Sequence, residues 1–110
     1  MIIDQNENIT IITQENASVI ELVKKIESLY PKFKNNNIIV NLNTIKPISL
    51  QEIIEFLRVS NQHRATKYSF VIVNEGINTD KTPDQIVMVP TLQDAHDIIE
   101  MEEMERDLGF

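Results

Sequence analysis

Residues 38–57, IIVNLNTIKPISLQEIIEFL, decide the fold. Ile38 to Leu42 is almost continuously apolar, the pattern of a strand buried on both faces of a parallel sheet. Asn43 to Ile48 then reads as a turn, and a helix is expected from about Leu50 to Ala65. Its apolar stripe is Leu50, Ile53, Ile54 and Leu57, at the three- and four-residue spacing that puts one face on a core. Ser49 and Glu52 stand at the spacing of an S-x-x-E capping box, which satisfies two backbone donors at the helix start.

Strand-length apolar runs and helical patterns alternate on both sides of this unit. Met1 to Asp4 and Ile9 to Thr13 predict a hairpin around Gln5 to Asn8. A helix is expected from about Ala17 to Phe33, because Val19, Leu22, Val23, Ile26, Leu29, Tyr30 and Phe33 share a face; Ser18 and Glu21 offer its capping box, and Pro31 weakens its end. Phe70 to Val73 and Ile86 to Val89 predict two more buried strands. Between them Asn74 to Gln85 is polar, lacks helical periodicity and contains Pro83. Thr91 and Asp94 are placed as N-cap and N3 of a last helix running almost to Gly109. The expected order is β-β-α-β-α-β-β-α, an α/β domain with a mostly parallel sheet, an N-terminal hairpin and about three helices.

Composition narrows the functional classes. A chain of 110 residues with 42% hydrophobic content suits one domain. Ten Lys and Arg against 17 Asp and Glu give a net charge of −7, which repels phosphate backbones and anionic lipid, so neither a nucleic-acid nor a membrane partner is expected. Without Cys there is no thiol nucleophile or thiolate metal site. MIIDQNEN has neither the basic segment nor the apolar run of a signal peptide, and no stretch approaches the ~20 apolar residues of a membrane span. The reading is a soluble, cytoplasmic protein.

Catalytic signatures are missing as well. Gly76 and Gly109 cannot build a phosphate loop, and neither His63 nor His96 has a helical metal-pair companion, so both are expected in surface or capping roles. Asp4, Asp80, Asp84, Asp94 and Asp97 are scattered over different elements. No catalytic, metal or cofactor-binding residue is assigned, and the chain is read as a non-enzyme.

The run Val40 to Leu57, VNLNTIKPISLQEIIEFL, resembles without a gap the strand, turn and helix of STAS domains, the fold of anti-sigma-factor antagonists. FVIVN at 70–74 is similar to the next strand of that family, and IVMVPTLQDAHDII at 86–99 to its last strand and closing helix. The family usually opens the helix with Asp-Ser-Ser-Gly and is switched by phosphorylation of a serine there. In this chain Ser49 falls on the Asp, Leu50 on the first Ser, Gln51 on the second Ser, which is the phosphoacceptor, and Glu52 on the Gly. Glutamine cannot be phosphorylated, and capping accounts for Ser49 and Glu52. The resemblance therefore implies a protein-binding regulatory module without the serine switch, binding an anti-sigma or kinase-type partner. It places that partner on Gln51, Glu52, Glu55, Phe56 and Val59. The alternative for Phe56 and Val59 is packing under a flanking element. The family's crossover helix between the last two strands has no counterpart in 74–85, so the hairpin, that loop or a second copy must shield part of the sheet.

Two further surfaces stand out. On the last helix Leu92, Ala95 and Ile99 share one face, and Met101, Met104 and Leu108 lie on nearly the opposite one. The end MEEMERDLGF, residues 101–110, is thus expected to project from the single domain as a Met- and Leu-bearing stripe for a partner or a second copy. Arg58, His63, Arg64 and Lys67 form the one basic cluster, either a solvated helix end or a contact for an acidic segment. The PTL at 90–92 and the ending MEEMERDLGF also resemble short chains associated with ribonuclease Z, which implies an accessory role beside an RNA-processing enzyme. A homodimeric structural module is the third reading.

Overall fold

The computed structural model describes residues 1–15, 18–45, 48–76 and 82–109. Ala17, Lys46, Pro47, the stretch 77–81 with Asp80, and Phe110, all within the expectations above, lie outside these. The chain runs β1 (Ile2–Asn6), β2 (Ile9–Thr13), α1 (Val19–Phe33), β3 (Asn37–Asn41), α2 (Leu50–Ile54), α3 (Leu57–Arg64), β4 (Phe70–Val73), β5 (Val87–Val89) and α4 (Leu92–Asp107). The five strands form one sheet in sequential order, with β1 antiparallel to β2 and every later pair parallel. This is the α/β, mostly parallel architecture with an N-terminal hairpin that the sequence patterns predict, with the expected middle helix split into α2 and α3.

Side-chain alternation along the strands builds two cores. Ile38, Val40, Phe70, Ile72 and Met88 face α1, α2 and α3, whereas Ile39, Val71 and Val73 face α4 through Ala95 and Ile99. The sheet grows in one direction from β2 to β4, so right-handed crossovers put α1 and the α2–α3 pair on the same face. Helix α4 folds back over the other. Its Leu92, expected to face inward with Ala95 and Ile99, remains exposed at the rim.

α4 packs on β3, β4 and β5. On that side of the sheet Ile9 and Ile11 of β2 are therefore only half-buried, and the whole of β1 is exposed. Between β4 and β5, none of the described residues is helical.

Local chemistry sets the helix ends. Ser18 accepts from the Glu21 backbone N–H at the start of α1, and Thr91 accepts from that of Asp94 at the start of α4. Pro31 sits inside α1 without ending it: the last turn holds because Phe33 is anchored in the core. Asn74 staples the C-terminal end of the sheet, donating to the carbonyls of Leu42 and Ile45 at 3.0 and 3.1 Å while accepting from the Gly76 N–H at 2.9 Å.

The helix expected over 50–65 is broken. At Phe56 the N–H turns back to the Ile53 carbonyl at 3.0 Å, a tighter three-residue closure, and α3 restarts at Leu57. The buried stripe is not Leu50, Ile53, Ile54 and Leu57 but Ile53, Phe56, Val59, Ser60 and His63.

Candidate partner-binding surfaces

The start of α2 is a fully formed capping box. The Glu52 N–H donates to Ser49 Oγ at 3.2 Å, and the Ser49 N–H donates to Glu52 Oε1 at 2.9 Å. Gln51 and Glu55 point into solvent, so three of the five partner candidates on this segment lie at or near the surface. Phe56 and Val59 do not: both are in the core, Phe56 against the Phe70 ring at a centroid distance of 6.4 Å. As direct contacts they are withdrawn. Exposed apolar residues stand nearby instead, two of them on the stripe expected to be buried. Leu50 is 44% exposed and Ile54 39%, and Ile20 of α1 is 52% exposed.

Two overlapping stripes compete on this segment, both using Ile53. One holds Leu50 and Ile54; the other holds Phe56, Val59 and His63. The second wins because it buries the largest ring and continues through α3, where His63 finds both of its hydrogen bonds. Leu50 and Ile54 are left outside. Ile20, Val23, Lys24 and Glu27 of α1 and Ile54, Glu55, Leu57 and Arg58 then line an open groove of about 420 Å³. A loose Arg58–Glu27 pair at 3.9 Å spans it. The groove combines apolar Ile20, Val23, Ile54 and Leu57 with charged Lys24, Glu27, Glu55 and Arg58.

His63 is fully buried rather than a surface or capping residue. The Asn36 carbonyl can only accept, so His63 Nε2 carries the proton at 2.7 Å from it, and Nδ1 accepts from the Tyr30 hydroxyl at 2.7 Å. Burial pushes the His63 pKa below the usual 6.5, partly opposed by the Asn36 carbonyl. Burial likewise raises the Tyr30 pKa, against a smaller lowering by Thr66. The Tyr68 ring stacks on His63 at 5.9 Å. The site is neutral and saturated, a structural lock between α1, α3 and β4.

The remaining members of the basic cluster separate. Arg64 Nη2 pairs with Glu102 Oε2 of α4 at 3.2 Å. Ser69 Oγ donates to Glu102 Oε1 at 2.5 Å, and Arg106 donates to Ser69 Oγ and to Asn37 Oδ1, each at 3.3 Å. Asn37 Oδ1 also accepts from the Ser69 backbone N–H at 2.8 Å. On the other flank, Asn8 donates to both carboxylate oxygens of Glu103 at 2.9 Å. The end of α4 is therefore tied to the domain along Glu102, Glu103 and Arg106 rather than standing clear of it. Its third side is bare: Met101, Met104 and Leu108 are 50, 60 and 71% exposed and line an apolar depression with Asp97, Glu100 and Glu105.

This network went unpredicted because its members are isolated polar residues at strand starts and on a helix whose apolar stripe changes face. The inward Arg106 and Glu102 are four residues apart on the same side of α4, a spacing visible in the chain once the other two sides are assigned. Among the described residues, no group of three or more His, Asp or Glu is placed to hold a metal, and no helix is long and apolar enough to cross a membrane.

Comparison with solved structures finds the same fold in a Moorella thermoacetica RsbS variant carrying a serine-to-glutamate substitution. The TM-score is 0.67 over 94% of this chain and 96% of that one, at 13% identity. RsbS is a STAS-domain anti-sigma-factor antagonist. No protein-family model and no curated protein sequence matches the chain.

Proposed function

We propose that this chain is a non-catalytic, protein-binding regulatory module that acts in the manner of an anti-sigma-factor antagonist but without a serine phosphoswitch. The observation that carries the proposal is the apolar surface left open beside the start of α2. Leu50, Ile54 and Ile20 stay exposed although the same helices bury a complete stripe elsewhere. The likeness to a STAS-domain antagonist supports a regulatory role on this fold. Gln51 at the place of the phosphoacceptor and Ser49 engaged in capping support the loss of the switch. Partner contact is assigned to Gln51, Glu52, Glu55, Leu50, Ile54 and Ile20, with an anti-sigma or kinase-type protein as the partner class. Such a module works in the cytoplasm.

The test is a double substitution, Leu50→Glu with Ile54→Glu. It leaves the core untouched and adds one charge to the groove at position 54 and one to the exposed position 50 at the start of α2, so the folded chain should remain while co-purification of a stoichiometric partner is lost. If the partner is retained at wild-type yield, the groove is not the docking site.

A second reading rests on the Met101, Met104 and Leu108 stripe. It offers an adaptable apolar contact for a different partner, such as an RNA-processing enzyme of the ribonuclease Z type, or for a second copy of the chain. Met101→Ser with Met104→Ser should abolish that association and leave the groove-dependent one unchanged. The dimer arm is read by sedimentation.

A further inference from the structure

At the end of the sheet opposite the Asn74 staple, a cavity of about 380 Å³ opens between the last turns of α3 and α4, lined by Arg64, Lys67, Tyr68, Arg106 and Gly109. The chain has three arginines and a net charge of −7, yet two of the three arginines and a lysine meet here, and among the described residues no Asp or Glu lines the opening. Arg64 spends only Nη2 on Glu102; its Nη1 is shut off from water and has no acceptor. The three cationic side chains that line the opening can donate charge-assisted hydrogen bonds to an oxyanion that enters it.

Cations near helix C-termini are favoured by the helix dipole, which accounts for the placement of Arg64 and Arg106. Lys67 lies just past the end of α3, where its N–H donates to the Arg64 carbonyl at 3.0 Å. Lys67 adopts φ 69°, the left-handed region in which glycine is at ease and other residues are strained. Its side chain makes no ion pair with the described residues. A strained lysine at the mouth of a cavity already holding two guanidiniums supplies a third positive donor. Glu102 neutralises one charge of the three, which leaves two against an incoming dianion.

We infer that this cavity is a binding site for a phosphate dianion, free or as the phosphate group of a small phosphomonoester, held by Arg64, Lys67 and Arg106 with Tyr68 as the wall for an organic part. The cavity is larger than inorganic phosphate alone requires, which favours the ester. The site lies apart from the α1–α2 groove, so it stands whether or not that groove docks a partner.

The experiment is a titration of the ¹⁵N-labelled full chain, at fixed pH and ionic strength, with sodium phosphate and separately with adenosine 5′-monophosphate, followed by amide chemical shifts. Saturable shifts are expected at residues 64–69 and 106–109. Lys67→Gly relieves the backbone strain while removing one cation, so it should keep or raise Tm and weaken binding roughly tenfold, the usual scale for one charge-assisted contact. Tighter binding of the nucleotide than of phosphate identifies an ester ligand, and equal binding identifies the free ion. Shifts that are linear, scattered over the surface, or unchanged by Lys67→Gly overturn the site.

Discussion

His63 shows how a residue chosen for its surface chemistry becomes part of the interior. Its neighbours in sequence, Arg58, Arg64 and Lys67, place it in a basic patch, but its ring lies among Tyr30, Tyr68 and Phe70 and is held neutral by burial, against the smaller opposing effect of the Asn36 carbonyl. The unfolded chain protonates this imidazole near pH 6.5 and the folded chain only at lower pH. Below 6.5 the unfolded state binds more protons, so the stability due to His63 is complete above that value and declines as pH falls toward the lowered folded value. Chemical denaturation at pH 8, 6.5 and 5 should show this loss, and His63→Phe should flatten the slope across that window. A wild-type slope of the opposite sign would mean that the ring is charged in the native state. Neighbouring polar residues make smaller contributions. Ser49→Ala removes one half of the capping box and should cost about 1 kcal/mol in urea denaturation. Because Phe56 is closed off in the core, Phe56→Ala should cost about 3–5 kcal/mol. A partner contact at Phe56 without a stability loss would contradict its burial.

Among the elements, the capped ends and strands were largely readable from the chain, whereas the phase of the middle helix was not. Ser49, Thr91 and Ser18 each cap where local spacing places them. Phe70 to Val73 is a strand over the expected residues because four apolar positions in a row fit a sheet covered on both faces. The segment 50–65 held two overlapping stripes, and periodicity alone gives no reason to prefer one. Tertiary packing of Phe56 and the pairing of His63 decide it, and these depend on α1 and β4, far away in sequence. The same limit applies to α4. Its change of face marked an exposed Met stripe, but the pinning of its other side required Asn37, Ser69 and Arg64 to come together through the fold. Glu102→Gln keeps the shape and removes the charge shared by Arg64 and Ser69. It should lower stability by about 1 kcal/mol, given that Arg64 is a third exposed, and should speed amide exchange in the last two turns of α4. Unchanged exchange there would show that the apolar contacts of Ala95 and Ile99 alone hold the helix.

For the molecule as a whole, the sheet divides labour between its two faces. α1, α2 and α3 close one face over a continuous core, while among the described residues α4 is the helix that packs on the other. Apart from Leu92, the exposed large apolar residues among those described fall into three places: the α1–α2 surface, the Met stripe of α4, and the outer hairpin with Ile2 and Ile3 on the edge strand β1. Unpaired edges and apolar strips are surfaces for association. The groove is the one among them built from two packed helices, which gives a partner a preorganised site. The central claim is that a protein partner occupies it, and site-specific photo-crosslinking from position 54 in the native cell tests it most directly. The account predicts one dominant adduct with a single protein, absent from a probe at exposed Lys34 and abolished by Leu50→Glu. No adduct from position 54, or the same adducts from both probes, would contradict it.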